Sequence, residues 1–469
     1  MNVHIDRPNI VVILTDDQGR WAMPHRMPEL QMPHLKALLD TSLELDNLHC
    51  ASPVCSPARA SLLTGRTPSA HGVHDWLVGG RDPRDHADAY LAGQPTTAET
   101  LSRAGYWCAL SGKWHVGDAR TPAPGHDFWY AHRFGGGPYL NAPIWRDGQP
   151  ATEPRYFTDA VVEEGLHALD VRPNDRPFLL QLNFTAPHDP WFTGHPRRWT
   201  DLYAGTDFPS VPRPAEPHPW ARRGAFTQAW ADPRTALTGY AASLSAVDAG
   251  LGRLRADLAQ RGLAESTIIF FLSDNGFSCG HHGIWGKGNG TDPLNFWDNS
   301  VRVPGLVHVP GGPTGVSDAL LSGTDLHPTI CELAGVSPEP DQWAAGESFA
   351  GLLRGEVAGR ETVVVASEYG GGRMITDGDW SWITRPDGPV ELYHRGEDPD
   401  QSVNRASDAS CAGIRADLDQ ALHDWFVRRS RPGMSGWQQP VTGEGQLQPV
   451  SRGLPADQTW ASAPAPDGN

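Results

Sequence analysis

The sequence predicts an α/β fold: a large, mainly parallel sheet between helices, followed by a smaller α+β subdomain carrying an antiparallel sheet. Three observations lead there. The apolar runs NIVVIL (9–14), YWCAL (106–110), FLLQLNF (178–184) and TIIFFL (267–272) are nearly continuous rather than alternating, as strands buried on both faces are. Stretches of helical spacing separate them, at 32–40, 58–63, 97–103 and 237–261, the last with Leu244, Val247, Leu251, Leu254 and Leu258 on one stripe. Polar residues follow each run: Asp16 and Asp17, Lys113 to His115, His188 and Asp189, Asp274 and Asn275. Ligands of open α/β sheets bind outside the carboxyl ends of the strands, so these four clusters are expected to converge on one site.

The 469 residues suffice for one large domain and a small one, and 39% hydrophobic with 20% charged residues is ordinary globular composition. A net charge of −17 argues against a nucleic-acid or anionic-membrane binder, so an anionic substrate needs local positive charge. The only apolar run near the start, Ile10 to Leu14, is too short for a signal-peptide core or a membrane span; the expectation is a soluble cytoplasmic protein. Six scattered cysteines fit neither a disulfide framework nor zinc spacing, which suits a reducing compartment. From about residue 361 the texture changes to short strand-like pieces, VVVASEY and WSWITR, with turns at 370–372 and 386–388 and a helix near 412–428. This gives a subdomain at 361–430. The Pro-, Gly- and Gln-rich stretch 431–469 reads as an extended arm or a disordered tail.

Asp16, Asp17, Asp274 and Asn275 offer hard oxygen donors without imidazole or thiolate, which suits Ca²⁺ or Mg²⁺ rather than zinc. One Asp-Asp pair after a strand ordinarily caps a loop; two such clusters after separate strands point to a metal. Arg59, Lys113, Lys287, His115 and His188 supply the cations to clamp a tetrahedral oxyanion. His327 is read as a helix-start residue, in a helix through Leu333, that touches the sheet edge. Trp76, Trp114, Trp145, Trp191, Trp285 and Trp297 sit in or near these loops, where packing competes with sugar stacking. Cys55 lies near the start of a helix over 57–64, with Pro57 in its first turn. A thiolate there is a soft donor beside hard oxygen ligands; an oxygen nucleophile fits better.

These residues resemble the formylglycine-dependent sulfatases of the alkaline phosphatase superfamily. The likeness runs from PNIVVILTDDQG to ELYHRGEDPDQSVN near residue 404, with GKWHVG, APHDPW, SDNG and WGKGNG in the family's order. Cys55-Ser56-Pro57-Ala58-Arg59 is similar to the C-x-P-x-R signal read by a formylglycine-generating enzyme. The resemblance implies an alkaline phosphatase-like catalytic domain over 1–360 and conversion of Cys55 to Cα-formylglycine. It also implies Ca²⁺ held by Asp16, Asp17, Asp274, Asn275 and residue 55. It further implies Arg59 stabilising the hydrate, Lys113 and Lys287 on the sulfate oxygens, His115 on the second hydroxyl and His188 serving the leaving group. One hydroxyl of the hydrate would attack sulfur, its proton passing to Asp274; the second, deprotonated by His115, would expel sulfate and restore the aldehyde. A serine has no second hydroxyl for that step.

The implied substrate is a sulfate monoester of a carbohydrate, small alcohol or phenol. The alternative is a phosphonate monoester or phosphodiester hydrolase, since close relatives act on tetrahedral phosphorus. A further pocket residue is not placed by the pattern; Tyr139 and Asn141 are the nearest. The insert GNGTDPLNFWDNS (288–300) is expected to overhang the site as a polar loop.

Overall fold

The computed structural model describes residues 6–78, 90–222, 224, 226–356, 359–367 and 371–462. Ten strands form the main sheet: β1 Asn9–Asp16, β2 Leu43–Leu45, β3 Trp107–Gly112, β4 Phe128–His132, β5 Ala142–Arg146, β6 Gln149–Glu153, β7 Phe178–Pro187, β8 Thr267–Ser273, β9 Gly305–His308 and β10 Gly315–Ser317. Their spatial order is β10-β2-β9-β8-β1-β7-β3-β4-β5-β6. The central run β8-β1-β7-β3-β4 is parallel throughout, and antiparallel strands extend it on both sides.

All four predicted apolar runs lie in this parallel centre, and the reason they are continuous is visible in β1. Val11 and Ile13 enter one apolar core; Ile10, Val12 and Leu14 enter the core on the opposite face. Helices α1 Pro33–Leu39, α4 Phe157–Val171 and α5 Pro233–Gln260 cover the first face. Helices α2 Cys55–Thr64, α3 Thr97–Arg103 and α6 Leu326–Leu333 cover the second. Helix α5 starts four residues earlier than its apolar stripe suggested, because Asp232 caps it, accepting the Thr235 N–H at 3.1 Å, and Pro233 occupies the first turn. Helix α4 was not anticipated. Gly165 interrupts its pattern, but a Cβ there would stand 2.3 Å from Leu182 Cδ2, so the glycine lets the helix lie close on β7.

The C-terminal subdomain is a four-stranded antiparallel sheet, β11 Val363–Ser367, β12 Gly372–Thr376, β13 Trp380–Thr384 and β14 Glu391–His394, against α7 Ala412–Arg429. Gly372, expected in a turn, opens β12 instead; Gly370 and the Glu368-Tyr369 end of VVVASEY lie outside the described residues. Residues 430–462 continue as an arm along 69–78, where Trp460 is buried. The remainder of the predicted arm or tail, 463–469, lies outside the described residues. Among the described residues, no helix is long and apolar enough to cross a membrane, and all six cysteines are buried free thiols.

The insert 288–300 does not overhang anything. Thr291, Asn295 and Phe296 are fully buried, and Phe296 packs where a Cβ on Gly372 would meet its ring at 2.4 Å. Apolar Leu294, Phe296 and Trp297 outweigh the polar residues that suggested a solvent loop, and the insert joins the main domain to the small sheet. Arg385 completes this junction, donating to the Leu294 carbonyl at 2.6 Å and pairing with Glu391 at 2.7 Å, both side chains essentially without solvent exposure. Arg385→Met strands the Glu391 charge, and urea unfolding is expected to show a loss of about 3–5 kcal/mol. The double variant with Glu391→Gln should recover part of it; equal loss in both would mean the pair is not the cause.

Candidate active site

Three strand ends, the turn after β3 and one helix N-terminus meet at a single point. β1 ends in Asp16, and Asp17 takes a left-handed backbone with φ 66°. The turn is held by the Tyr240 hydroxyl of α5, which donates to the Asp17 carbonyl at 2.9 Å. Asp274 and Asn275 follow β8; the Asn275 N–H donates to Asp274 Oδ1 at 2.8 Å, and its Nδ2 donates to Asp17 Oδ1 at 2.7 Å. Helix α2 begins at Cys55, whose Sγ lies 3.3 Å from Asp16 Oδ1. One turn on, Arg59 Nε donates to Asp274 Oδ2 at 2.8 Å and Nη1 to the Lys113 carbonyl at 3.1 Å.

Lys113 is placed by backbone geometry. Gly112 has φ 115°, and a Cβ on it would stand 2.0 Å from the Asn183 carbonyl oxygen, which accepts the Lys113 N–H at 2.7 Å. Gly112→Ala must therefore either break this pairing or move β7. It is expected to lower stability by at least about 1–3 kcal/mol and activity with it, read by thermal unfolding beside turnover; a variant with unchanged melting would refute the tight approach. The Lys113 ammonium, fully buried, pairs with Asp16. Lys287 pairs with Asp17 and donates to Cys55 Sγ at 2.6 Å and Asn275 Oδ1 at 3.4 Å. Its loop is closed by Asn295 Nδ2, which donates to the Lys287 carbonyl at 3.0 Å and Thr291 Oγ1 at 2.9 Å, so the insert supports the site from below.

His188 stands at the mouth, part-exposed, its Nδ1 2.9 Å from the Asp189 carbonyl and its Nε2 3.8 Å from Asp17 Oδ2. Its own carbonyl accepts the Tyr139 hydroxyl at 2.7 Å. His115, at φ 56°, sets its Nε2 3.3 Å from the Leu77 carbonyl. A carbonyl only accepts, so Nε2 carries the proton and Nδ1 is the acceptor; Nδ1 is buried with no partner among the described residues. Gly135 and Gly136 pass so close that a Cβ would strike the rings of His115 and His188 at 2.1 and 2.9 Å.

Burial pulls every charge here toward neutrality, and the neighbours decide the outcome. Burial alone would push the Asp16 carboxyl up, but Lys113, His188, Arg59 and Lys287 hold it well below the usual carboxylate range. Asp274 goes the other way, raised to about 6 by burial and Asp16. Burial and then Asp16 push the Cys55 thiol up to about 12, so at neutral pH it is a protonated thiol and a poor nucleophile. His115 is held well below its ordinary value by burial, Lys113 and Arg59, and is therefore a neutral base. Burial would lower His188 too, but Asp189, Asp16 and Asp17 raise it.

The four strand-end clusters do meet, and Asp16, Asp17, Cys55, Arg59, Lys113, His115, His188, Asp274, Asn275 and Lys287 gather at this point. The donor atoms of Asp16, Cys55 and Asp274 lie within 4.8 Å of one another, and Asp17 and Asn275 oxygens both face Lys287 Nζ. This buried, oxygen-rich set can hold a hard metal ion. Other expectations are corrected. Tyr139 is a core residue that orients the His188 backbone, and Asn141 is exposed. His327 begins α6 as expected, but its Nδ1 lies 3.0 Å from the Thr97 hydroxyl, against helix α3 rather than the sheet edge. Trp114, Trp145, Trp191, Trp285 and Trp297 are all at most 6% exposed, so they pack and do not stack on sugars; only Trp76 is half-open. Trp191, for example, stacks on Phe226 at 5.2 Å and meets Trp285 at 5.6 Å. Sequence reasoning missed Asn295, Leu77 and the Gly135-Gly136 pair. The two glycines were a visible signal; a backbone carbonyl never is.

Comparison with known proteins assigns the chain to a family. The family model described as Sulfatase matches residues 8–336. The choline-sulfatase of Rhizobium meliloti is 29% identical over 88% of this chain and 84% of its own. A solved structure of a protein with its substrate D-glucosamine-2-N,6-O-disulfate superposes with a TM-score of 0.76 at 23% identity, covering 92% of this chain and all of that one. The phosphonate monoester hydrolase of Agrobacterium radiobacter shares the fold with a TM-score of 0.71 at 19% identity, over 90% of this chain and 96% of that one.

Proposed function

This chain belongs to the sulfatase family of sulfuric ester hydrolases, and from that premise we propose that it cleaves a sulfate monoester of a carbohydrate or a small alcohol or phenol, using residue 55 as precursor of an oxygen nucleophile. The observation that carries this reading is the burial of Cys55 among the carboxylates Asp16, Asp17 and Asp274 and the cations paired with them, Lys113, Lys287 and Arg59, with Sγ in contact with Asp16 and Lys287. A thiol pushed up to about 12 is not the working group. Its place at a helix start, within C-x-P-x-R, supports oxidation by a formylglycine-generating enzyme to the aldehyde, whose hydrate presents two hydroxyls.

The three cations are matched by three carboxylates, Arg59 with Asp274, Lys113 with Asp16 and Lys287 with Asp17. An anion gains net attraction only when a further cation joins them. Asp16, Asp17, Asp274 and Asn275, with residue 55, fit Ca²⁺, with Mg²⁺ second; when bound it would polarise the sulfate and favour an ionised hydroxyl. Arg59, whose Nη2 is buried without a hydrogen-bond partner among the described residues, has donor capacity to spare for the hydrate. Lys113 and Lys287 neutralise sulfate oxygens. Asp274 takes the proton of the attacking hydroxyl, and His188, helped by Lys287, returns one to the departing ester oxygen. His115 takes the proton of the second hydroxyl at Nδ1, so that sulfate leaves and the aldehyde returns.

A side-by-side assay of an aryl sulfate, choline sulfate, glucosamine 6-sulfate, a phosphodiester and a phosphonate monoester, with enzyme matured in a competent host, tests the reading. Sulfate esters are expected to dominate. Phosphodiester or phosphonate turnover larger by orders of magnitude would place the chain with the hydrolases of tetrahedral phosphorus whose fold it shares.

A further inference from the structure

We infer that Gln446, in the C-terminal arm, is a positioning residue for His115: it holds the Leu77 carbonyl against Nε2 and so keeps Nδ1 as the free base. The inference rests on the role proposed above for His115. The segment 72–78 belongs to neither the sheet nor a helix, so regular structure does not set the direction of the Leu77 carbonyl. Gln446 sets it from outside. Its N–H donates to the Trp76 carbonyl at 2.8 Å and its carbonyl accepts the Val78 N–H at 3.2 Å, a parallel bridge astride Leu77. Its side chain continues the grip: Oε1 accepts the His74 N–H at 2.9 Å and Nε2 donates to the Gly72 carbonyl at 3.0 Å.

The clamped segment touches the site twice. The Leu77 carbonyl meets His115, and the Leu77 N–H donates to the hydroxyl of Ser56, beside Cys55, at 3.1 Å. The arm is in turn fastened. Asp75 Oδ2 accepts the Gly445 N–H at 3.1 Å, and the arm folds back on itself through Ala461 N–H to the Gly445 carbonyl at 2.9 Å. Gln446 is fully buried, with side-chain bonds spent on the 72–78 segment and on the arm itself, where Nε2 also reaches the Gln448 carbonyl. A carbonyl held at Nε2 selects one tautomer. Loosened, the ring can turn or place its proton on Nδ1, and a base needed only to expel sulfate is then lost.

The test compares wild type, Gln446→Ala, which removes the side-chain grip on His74 and Gly72, Gly445→Ala, which disturbs the main-chain bridge, and His115→Ala, all full length. Gly445→Ala keeps the glutamine but, at φ 120°, puts a Cβ 2.1 Å from Val78 Cγ2. Alcohol and sulfate release are followed separately by rapid quench. Slow sulfate expulsion appears as a burst of alcohol, with kcat falling about tenfold in the arm variants while kcat/KM, set by the earlier half, stays level. Nitrogen-15 NMR of His115, assigned against His115→Ala, is expected to show Nε2–H in wild type and a shifted or mixed tautomer in both arm variants. If His115→Ala shows the burst but the arm variants lose kcat and kcat/KM in proportion, the arm is merely structural and the inference fails. If His115→Ala shows no burst, the assigned role of His115 fails instead, and the NMR alone decides whether Gln446 sets the tautomer; an unchanged tautomer overturns it.

Discussion

Cys55→Ala is expected to abolish sulfate ester hydrolysis, by a factor on the order of 10⁶ as for other enzymes stripped of their nucleophile, while leaving the fold intact. The thiol is small, and its polar contacts are to Asp16 and Lys287, each of which keeps a stronger partner when the sulfur is gone. Stability measured by thermal unfolding should therefore change little. The same experiment has a chemical half. Digestion of active wild-type enzyme from a maturation-competent host should yield the residue-55 peptide with an aldehyde or its hydrate, detectable by mass and by reaction with a hydrazide. Fully active enzyme carrying unmodified cysteine, or an alanine variant with retained turnover, would remove residue 55 from the reaction.

Lys113→Met has the second largest expected effect, and it acts on two levels. The ammonium is fully buried and is the direct counter-charge of Asp16, itself without exposure. Removing it strands a buried carboxylate, for which about 3–5 kcal/mol of stability is the expected loss. It also removes a preorganised donor from the sulfate, for a further fall in kcat of about 10²–10³-fold. Calcium separates the two levels. A divalent cation held by the proposed set Asp16, Asp17, Asp274 and Asn275 would replace the missing counter-charge, so added Ca²⁺ should restore melting temperature in the variant without restoring turnover. Melting unaffected by Ca²⁺ in both wild type and variant would argue against the proposed metal set.

The legible part of this molecule is its parallel centre. Four of its five strands, β8, β1, β7 and β3, lie side by side and are buried along their whole length, and that demands continuous apolar runs such as NIVVIL, which a sequence cannot conceal; β4, half-buried at its start, was not read. The polar residues at the end of each run were equally readable, because topology alone carries Asp16, Lys113, His188 and Asp274 to the same edge. The edges were not readable. β5 and β6 are short, mixed in polarity and antiparallel, and β9 is four residues long, so no periodicity marks them.

By itself, then, the sequence determined the fold class, the sheet centre, the residues that gather at its carboxyl end and the C-x-P-x-R motif that begins at Cys55. These are properties of local pattern and strand order. Only the tertiary structure decided that the insert 288–300 is a buried support for Lys287, that the tryptophans are packing, and that an arm near the C-terminus reaches the backbone holding His115. Each of those depends on contacts between segments far apart in the chain. Asn295 and Gln446 act through backbone carbonyls, of which every residue has one, so nothing in the letters distinguishes the carbonyl that matters.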